Sequence, residues 1–189
     1  MPLLIEFAKK KKVTILIETM GIFAQSKVLV DFLSCFADDN LSVVWDVHHT
    51  FTIAKEAPNI TVQNLGKAIK HIHIKDSFNK NGEINYCFLG EGDLPFKDIL
   101  KSLNSINYEG YISLEVMSKW LGSLGDVNIV LPQFSSYMSS LEIAPASFAS
   151  IISDSIPKSA NSKSSLTLPT IPPVTSTLVV DSNASISSI

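Results

Sequence analysis

The chain has 189 residues, of which 46% are apolar and 17% charged, and its formal net charge is −3. That length predicts one domain, and with fifteen lysines and no arginine the sequence predicts neither a duplex nucleic-acid partner nor a guanidinium clamp for phosphate. With two cysteines, no apolar run near the roughly 20 residues of a membrane span and no secretory signal pattern, we expect a cytoplasmic protein without a disulfide framework or a membrane partner.

Apolar, β-branched runs alternate with helical patterns along residues 1–141. The strands are predicted at 13–19, 41–47, 68–76 and 110–116, and the helices at about 26–36, 60–69, 95–106 and 128–141. Residues 3–10 indicate the last turns of a further helix. Because strand and helix alternate four times, the sequence predicts a parallel sheet covered by helices.

The remaining 48 residues, 142–189, have a different composition. Of these, 22 are Ser, Thr or Pro and only five are charged. Such a segment buries too little apolar surface to offset its chain entropy, so we predict a disordered tail. Short apolar pieces at 151–152 and 178–180 are the parts of this tail that could dock on the domain.

Each predicted strand carries an ionisable group at or near its carboxyl end, on the face opposite its apolar side chains. These groups are Glu18, Asp46, His73 and Glu115. Ligands of parallel α/β proteins gather at the carboxyl ends of strands, so we expect the four groups to converge. Their mutual repulsion would then require a cation, and oxygen and nitrogen ligands suit Mn²⁺, Mg²⁺, Co²⁺, Fe²⁺ or Zn²⁺. The alternative is that a helix cap or water satisfies each group separately.

Five segments resemble, in order and spacing, the C-terminal half of the xylose-isomerase-like TIM barrels. They are IETMG (17–21), WDVHH (45–49), HIHIKD (71–76), GEGDLPF (90–96) and YEGYISLEV (108–116). The family includes sugar-phosphate isomerases and epimerases as well as apurinic endonucleases. The resemblance covers about residues 3–141 and implies an α/β fold, namely a partial (βα)₈ barrel of about four C-terminal βα units followed by the tail.

A complete barrel needs roughly 250 residues, so the resemblance implies a half barrel. Its sheet would have two open edges, and its interior side chains, such as Ser42 and Tyr111, would face solvent. The chain is therefore interpreted either as a truncated gene product or as a protein that a second chain completes.

The resemblance also implies roles for individual residues. The ligands of one divalent metal ion would be Glu18, Asp46, His73 and Glu115. Glu18 and Glu115 would also act as base and acid, moving a proton between neighbouring carbons. His49 would hold or polarise a substrate oxygen, and Lys75 is a candidate substrate contact, with a salt bridge at the rim as the alternative.

Three further features have open interpretations. Only one of His48 and His49 can face the site from an extended chain, and His71 is predicted to be a hydrogen-bonded interior histidine. In the segment 90–96, the two glycines either let the loop approach substrate or form a tight structural turn.

Together these features predict a sugar or sugar-phosphate isomerase or epimerase that works through a metal-stabilised enediolate. We expect the isolated half barrel to be inactive on free sugars, because half of its pocket is missing. One alternative is a non-catalytic remnant or interaction module. A metal-dependent phosphodiester hydrolase of the apurinic endonuclease type is a weaker alternative, because the chain has no arginine and its four histidines are already placed.

Overall fold

The computed structural model of the protein describes residues 1–116, 124, 126–141 and 177–180. Its helices are α1 (Pro2–Lys11), α2 (Ser26–Ser34), α3 (Pro58–Leu65), α4 (Phe96–Ser105) and α5 (Val127–Ser140). Its strands are β1 (Thr14–Glu18), β2 (Leu41–Asp46), β3 (Ile69–Ile74), β4 (Asp76–Lys80), β5 (Glu83–Cys87), β6 (Tyr111–Leu114) and β7 (Thr177–Val180). Short helical turns lie at Gly21–Ala24, His49–Ile53 and Gly66–Ala68.

The main sheet is parallel and has the strand order β6-β3-β2-β1-β7. Strands β1, β2, β3 and β6 are the four predicted from the sequence, and they stand side by side in chain order. A register irregularity between Val43 and Val44 places Asp46 directly opposite His73. The predicted α/β fold with a parallel sheet is confirmed. The carboxyl ends of all four predicted strands lie side by side at the same end of the sheet.

The apolar face of the sheet packs under the helices. It presents buried Ile and Val side chains and Trp45 to apolar side chains of α2, α3 and α4. In α4 these side chains include Ile99 and Leu103, four positions apart on one face of the helix. The indole N–H of Trp45 donates to Oγ1 of Thr50 at 2.9 Å, so this buried polar group is satisfied. This layer holds the strands, and therefore their carboxyl ends, in fixed positions.

The opposite face of the sheet is less open than expected for a half barrel. Tyr111, on the edge strand β6, is 58% exposed, as predicted. Ser42 is buried, however, and so are Leu16 and Val44 on the same face. The expectation of solvent exposure is therefore wrong for Ser42. The difference follows the strand order, because β1 and β2 each have a neighbour on both sides whereas β6 lies at an edge.

A β-hairpin that the sequence analysis did not predict follows β3 directly. Strands β4 and β5 pair antiparallel across a turn formed by Asn81 and Gly82. Both turn residues have positive φ, at 55° and 88°, as the two-residue turns of β-hairpins often require. The Asn-Gly pair is a recognised hairpin signal, and it was the overlooked clue.

The strand β7 comes from the segment predicted to be a disordered tail. Its four residues pair in parallel with β1, from Thr14 opposite Thr177 to Ile17 opposite Val180. For these residues the expectation of disorder gives way to docking on the edge of β1, at the apolar piece 178–180. The remainder of 142–189 lies outside the described residues, and its disorder stays a prediction. No helix in the described part of the chain has the length and apolar character needed to cross a bilayer.

Candidate metal centre

Four ionisable side chains meet where β1, β2, β3 and β6 end. Glu18, Asp46, His73 and Glu115 each contribute one potential ligand atom, and these atoms lie within 4.8 Å of one another. The strand order puts Glu18 and Glu115 at the two ends of the row, with Asp46 and His73 between them. The predicted convergence is therefore present. Whether these residues are metal ligands stays a prediction.

The two carboxylate oxygens of Asp46 have different roles, because one accepts backbone hydrogen bonds and the other faces the site. Oδ1 accepts the backbone N–H groups of His48 at 2.9 Å and His49 at 3.3 Å, which fixes the start of the helical turn after β2. The hydroxyl of Thr19 accepts the N–H of Asp46 and donates to its carbonyl, so the ends of β1 and β2 are tied together. Oδ2 faces the centre. Burial raises the pKa of Asp46 to about 7, against the opposing pull of Lys75.

The outer members of the row are held by different contacts. Oε1 of Glu18 lies 2.8 Å from Nδ1 of His73. Burial alone would lower the pKa of His73, but the hydrogen bond and charge of Glu18 outweigh it and the pKa is raised. Glu115 extends the β3–β6 ladder, because its N–H donates to the carbonyl of Ile74 at 2.9 Å.

Lys75 inserts its ammonium group into the same centre. Its side chain is 4% exposed and forms ion pairs with Oδ2 of Asp46 and Oε2 of Glu115. Burial would lower the pKa of Lys75, but the two carboxylates raise it, and in turn Lys75 lowers the pKa of Glu115 against the effect of burial. Lys75 thus makes ion pairs, as one interpretation expected, but inside the centre and not at its rim.

Of the four histidines, His73 belongs to the row of candidate ligands and His49 also faces the centre, whereas His48 and His71 do not. Nε2 of His49 lies 3.4 Å from Oδ2 of Asp46 and 3.5 Å from the ammonium of Lys75. His48 is fully buried and points away, with its Nε2 2.8 Å from Oγ of Ser77. His71 pairs with the hydroxyl of Ser113 at 2.8 Å, which is the interior role predicted for it.

A buried carboxylate that the sequence analysis did not single out organises the glycine loop. Oδ2 of Asp76 accepts the N–H groups of Gly90 and Gly92 at 2.9 and 3.0 Å, and Oδ1 accepts those of Leu94 and Ser77 at 3.2 and 2.9 Å. A Cβ added at Gly92 would lie 2.2 Å from Oδ1 of Asp76. Of the two interpretations of this loop, the structure supports the tight structural turn. The signal for Asp76 was its alternation with the buried Ile72 and Ile74, which puts a charged side chain in line with an apolar strand face.

The donor set at the strand ends fits a divalent cation. Three carboxylates and one imidazole are drawn together, while Lys75, the lysine that forms ion pairs with this group in the described part of the chain, contacts two of the three carboxylates. Oxygen and nitrogen ligands without sulfur are compatible with Mn²⁺, Mg²⁺, Co²⁺ or Zn²⁺ and do not distinguish among them. Within the described residues, this is the one group of three or more such side chains close enough to hold an ion.

Comparisons with known proteins agree with this arrangement of strands. The family model described as Xylose isomerase-like TIM barrel matches residues 2–130. An uncharacterized protein of Methanocaldococcus jannaschii is 31% identical over 97 residues, which are 51% of this chain and 32% of that protein. An inosose dehydratase of Clostridium perfringens is 30% identical over 112 residues, covering 51% of this chain and 37% of that protein.

A solved structure shares the fold. The crystal structure of a D-tagatose 3-epimerase-like protein superposes with a TM-score of 0.59 and 22% identity, over 74% of this chain and 51% of that chain. The chain therefore covers about half of this structure and about a third of each of the two curated relatives.

Proposed function

Because the chain belongs to the xylose isomerase-like TIM barrel family, we propose that it carries the metal centre and the acid–base pair of a divalent-metal-dependent sugar or sugar-phosphate isomerase or epimerase. The family assignment made from the five sequence segments is thereby confirmed. The observation that carries the proposal is the convergence of Glu18, Asp46, His73 and Glu115, whose potential ligand atoms lie within 4.8 Å of one another.

The four converging groups would hold one divalent ion. When bound, such an ion supplies Lewis acidity, which stabilises the negative charge that develops on neighbouring substrate oxygens when a proton leaves carbon. The chain's own contribution begins with the backbone N–H groups that bind Oδ1 of Asp46. They fix this side chain in the folded protein, so Oδ2 is already aimed at the centre and no further side-chain freedom is lost there when the ion binds.

Glu18 and Glu115 are suited to move the proton. They lie at opposite ends of the row of strands, so they would flank a sugar bound over Asp46 and His73. One carboxylate takes the proton from a carbon beside the carbonyl, and the bonding electron pair delocalises onto the carbonyl oxygen. The other returns a proton, either to the opposite face of that carbon or to the former carbonyl carbon. In the second case the proton of the adjacent hydroxyl passes to the former carbonyl oxygen, so that the carbonyl moves to the neighbouring carbon. The first outcome is epimerisation and the second is ketose–aldose isomerisation.

His49 and Lys75 are proposed to contact the substrate. Of the neighbouring pair His48 and His49, His49 is the one that faces the centre, with its Nε2 3.4 Å from Oδ2 of Asp46. Both residues could hold a hydroxyl or a phosphate oxygen of a small sugar. Because the chain spans about half or less of its relatives' length, the rest of the pocket would come from further βα units, and we propose a second chain carrying them as the partner.

The test is a screen of ketose–aldose and epimer interconversion with Mn²⁺, Mg²⁺ or Co²⁺. We expect little or no turnover by the purified chain alone, and turnover when a chain carrying the first four βα units of a full-length relative is co-expressed with it. Glu115→Gln is the blank, because it removes a ligand and a proton carrier. Glu109→Gln is the matched control, since Glu109 is exposed near the start of the same strand and should leave turnover unchanged.

The screen also separates the proposal from its alternatives. Metal binding without turnover in any pairing would favour a non-catalytic remnant. Vigorous turnover by the chain alone, abolished in Glu115→Gln, would show that half of the fold is sufficient for catalysis.

A second candidate function is the elimination of water from a cyclic keto-sugar. The similarity to an inosose dehydratase motivates it, and the buried ammonium of Lys75 next to Glu115 supplies the specific observation. Elimination breaks a C–H bond beside the carbonyl and the C–O bond of the next carbon, so it needs a base and a group that assists the departing hydroxyl. An inosose added to the screen, followed by ultraviolet absorbance of the conjugated product, distinguishes this reaction from epimerisation.

A further inference from the structure

The ammonium group of Lys75 contacts two of the four side chains proposed to hold a cation. It contacts Oδ2 of Asp46, the oxygen of that carboxylate that faces the centre, and Oε2 of Glu115. The other Asp46 oxygen accepts two backbone N–H groups. A metal ion and Lys75 would therefore compete for Oδ2 of Asp46, and Lys75 also occupies one of the two carboxylate oxygens of Glu115.

Two cations cannot share these oxygens at low cost. Charges a few ångströms apart in a buried site repel strongly, because little water is present to screen them. The Lys75 side chain is 4% exposed, so water does little to screen the charge of its ammonium group in this position. Lysine carries its charge on a flexible four-carbon stem, which allows the head group to swing while the backbone of the strand end stays in place.

The surroundings of Lys75 provide a direction for this movement. Its ammonium is already 3.5 Å from Nε2 of His49, which faces the centre from the turn after β2. Movement past His49, away from Oδ2 of Asp46 and Oε2 of Glu115, would bring the ammonium toward the side where the substrate is proposed to bind.

We propose that Lys75 is an internal counter-cation that holds the carboxylates of the metal-free centre together and must be displaced when the metal binds, so that it sets the metal affinity of the site. This inference rests on the metal centre of the proposed function. It assigns Lys75 a role separate from substrate contact, because the exchange takes place before any sugar binds.

The experiment is a calorimetric titration of the full chain with Mn²⁺. Lys75→Met and Lys75→Gln, which lack the charge, should bind Mn²⁺ at least about ten-fold more tightly than the wild type, because no resident cation has to leave. Lys27→Met is the matched control, since Lys27 also pairs with an aspartate but on the exposed surface of α2, and its Mn²⁺ affinity should equal that of the wild type.

A thermal melt provides a second readout that does not depend on activity. Without metal, both Lys75 variants should melt below the wild type, because Asp46 and Glu115 are left without their counter-cation. Saturating Mn²⁺ should raise their midpoints by more than it raises that of the wild type. A variant that folds only when Mn²⁺ is present would give the same support.

The outcomes separate this inference from the proposed function. Equal or weaker Mn²⁺ binding by both Lys75 variants, with binding intact in the wild type, would overturn the counter-cation role and leave the metal centre standing. No Mn²⁺ binding by any variant would remove the metal centre and this inference with it. Binding by the Lys75 variants but not by the wild type would be the strongest support.

Discussion

The protein stabilises two buried aspartates, 30 positions apart, in two different ways. Asp46 belongs to the candidate metal centre, where its inward oxygen is met by a side chain, Lys75. Asp76 belongs to what we call the loop anchor, formed by Asp76 and the backbone N–H groups of Ser77, Gly90, Gly92 and Leu94. Both aspartates are almost inaccessible to solvent.

The difference between them lies in whether the partner can be exchanged. In the exchange proposed for Lys75, the ammonium leaves the carboxylate and a metal ion replaces it, because the ammonium is carried on a flexible four-carbon stem. Backbone N–H groups cannot leave without unfolding their loop, and each one left unpaired in the interior costs about 1–3 kcal/mol. The same six-residue run, 71–76, therefore contributes both an exchangeable site and a permanent structural one.

The largest expected effect follows from removing the loop anchor. Asp76→Ala should lower the free energy of unfolding by about 3 kcal/mol or more, because it leaves four backbone N–H groups without their acceptor. Urea unfolding of the metal-free protein measures this. Glu91→Ala is the control, since Glu91 lies exposed in the same loop and its loss should cost about 0.5 kcal/mol or less. A similar loss in both variants would mean that Asp76 contributes no more than a surface residue.

A smaller effect is expected where the loop passes closest to the anchor. Gly92→Ala should destabilise the protein by about 1–3 kcal/mol, because the new Cβ would lie 2.2 Å from Oδ1 of Asp76 and 2.5 Å from the carbonyl oxygen of Ser77. In an Asp76→Ala background the cost of the same change should fall, although the Ser77 carbonyl remains. A double-mutant cycle measures this coupling, and strict additivity of the two changes would contradict the contact.

The third prediction concerns the pH dependence of the free energy of unfolding, through His48, which contacts both the centre and the loop anchor. Its backbone N–H donates to Asp46, and its ring lies 2.8 Å from the hydroxyl of Ser77, next to Asp76. Burial lowers the pKa of His48 to about 3, against about 6.5 for a free histidine. Between these values the unfolded chain binds more protons than the folded one, so stability falls as the pH falls, by about 1.4 kcal/mol per pH unit from this group.

His48→Gln should flatten that dependence. The measurement is the urea midpoint of both proteins between about pH 6.5 and pH 4.5, in the presence of a chelator so that metal loading does not contribute. Parallel curves for the wild type and the variant would mean that the ring of His48 is charged in the folded protein, in conflict with its burial.

The sequence alone was sufficient for the four strands β1, β2, β3 and β6 and for one class of site residue. Side-chain alternation along a strand is local, so an ionisable residue at a strand end on the polar face could be identified without knowing the fold, and this located Glu18, Asp46, His73 and Glu115. The same logic identified His71 as an interior residue. The Asn81-Gly82 turn was equally local, and the hairpin it forms could have been predicted from it.

The tertiary structure decided which of these groups touch. Contacts between strands depend on register, and the irregularity at Val43 and Val44 that sets Asp46 opposite His73 has no local signature. Nor does the sequence show that Lys75 reaches two carboxylates from β2 and β6, 29 and 40 positions away, or that Asp76 collects N–H groups from a loop up to 18 positions further on. Periodicity determines the face and end of a strand on which a side chain lies, whereas the distance between side chains on different strands is determined only when the sheet is assembled and packed.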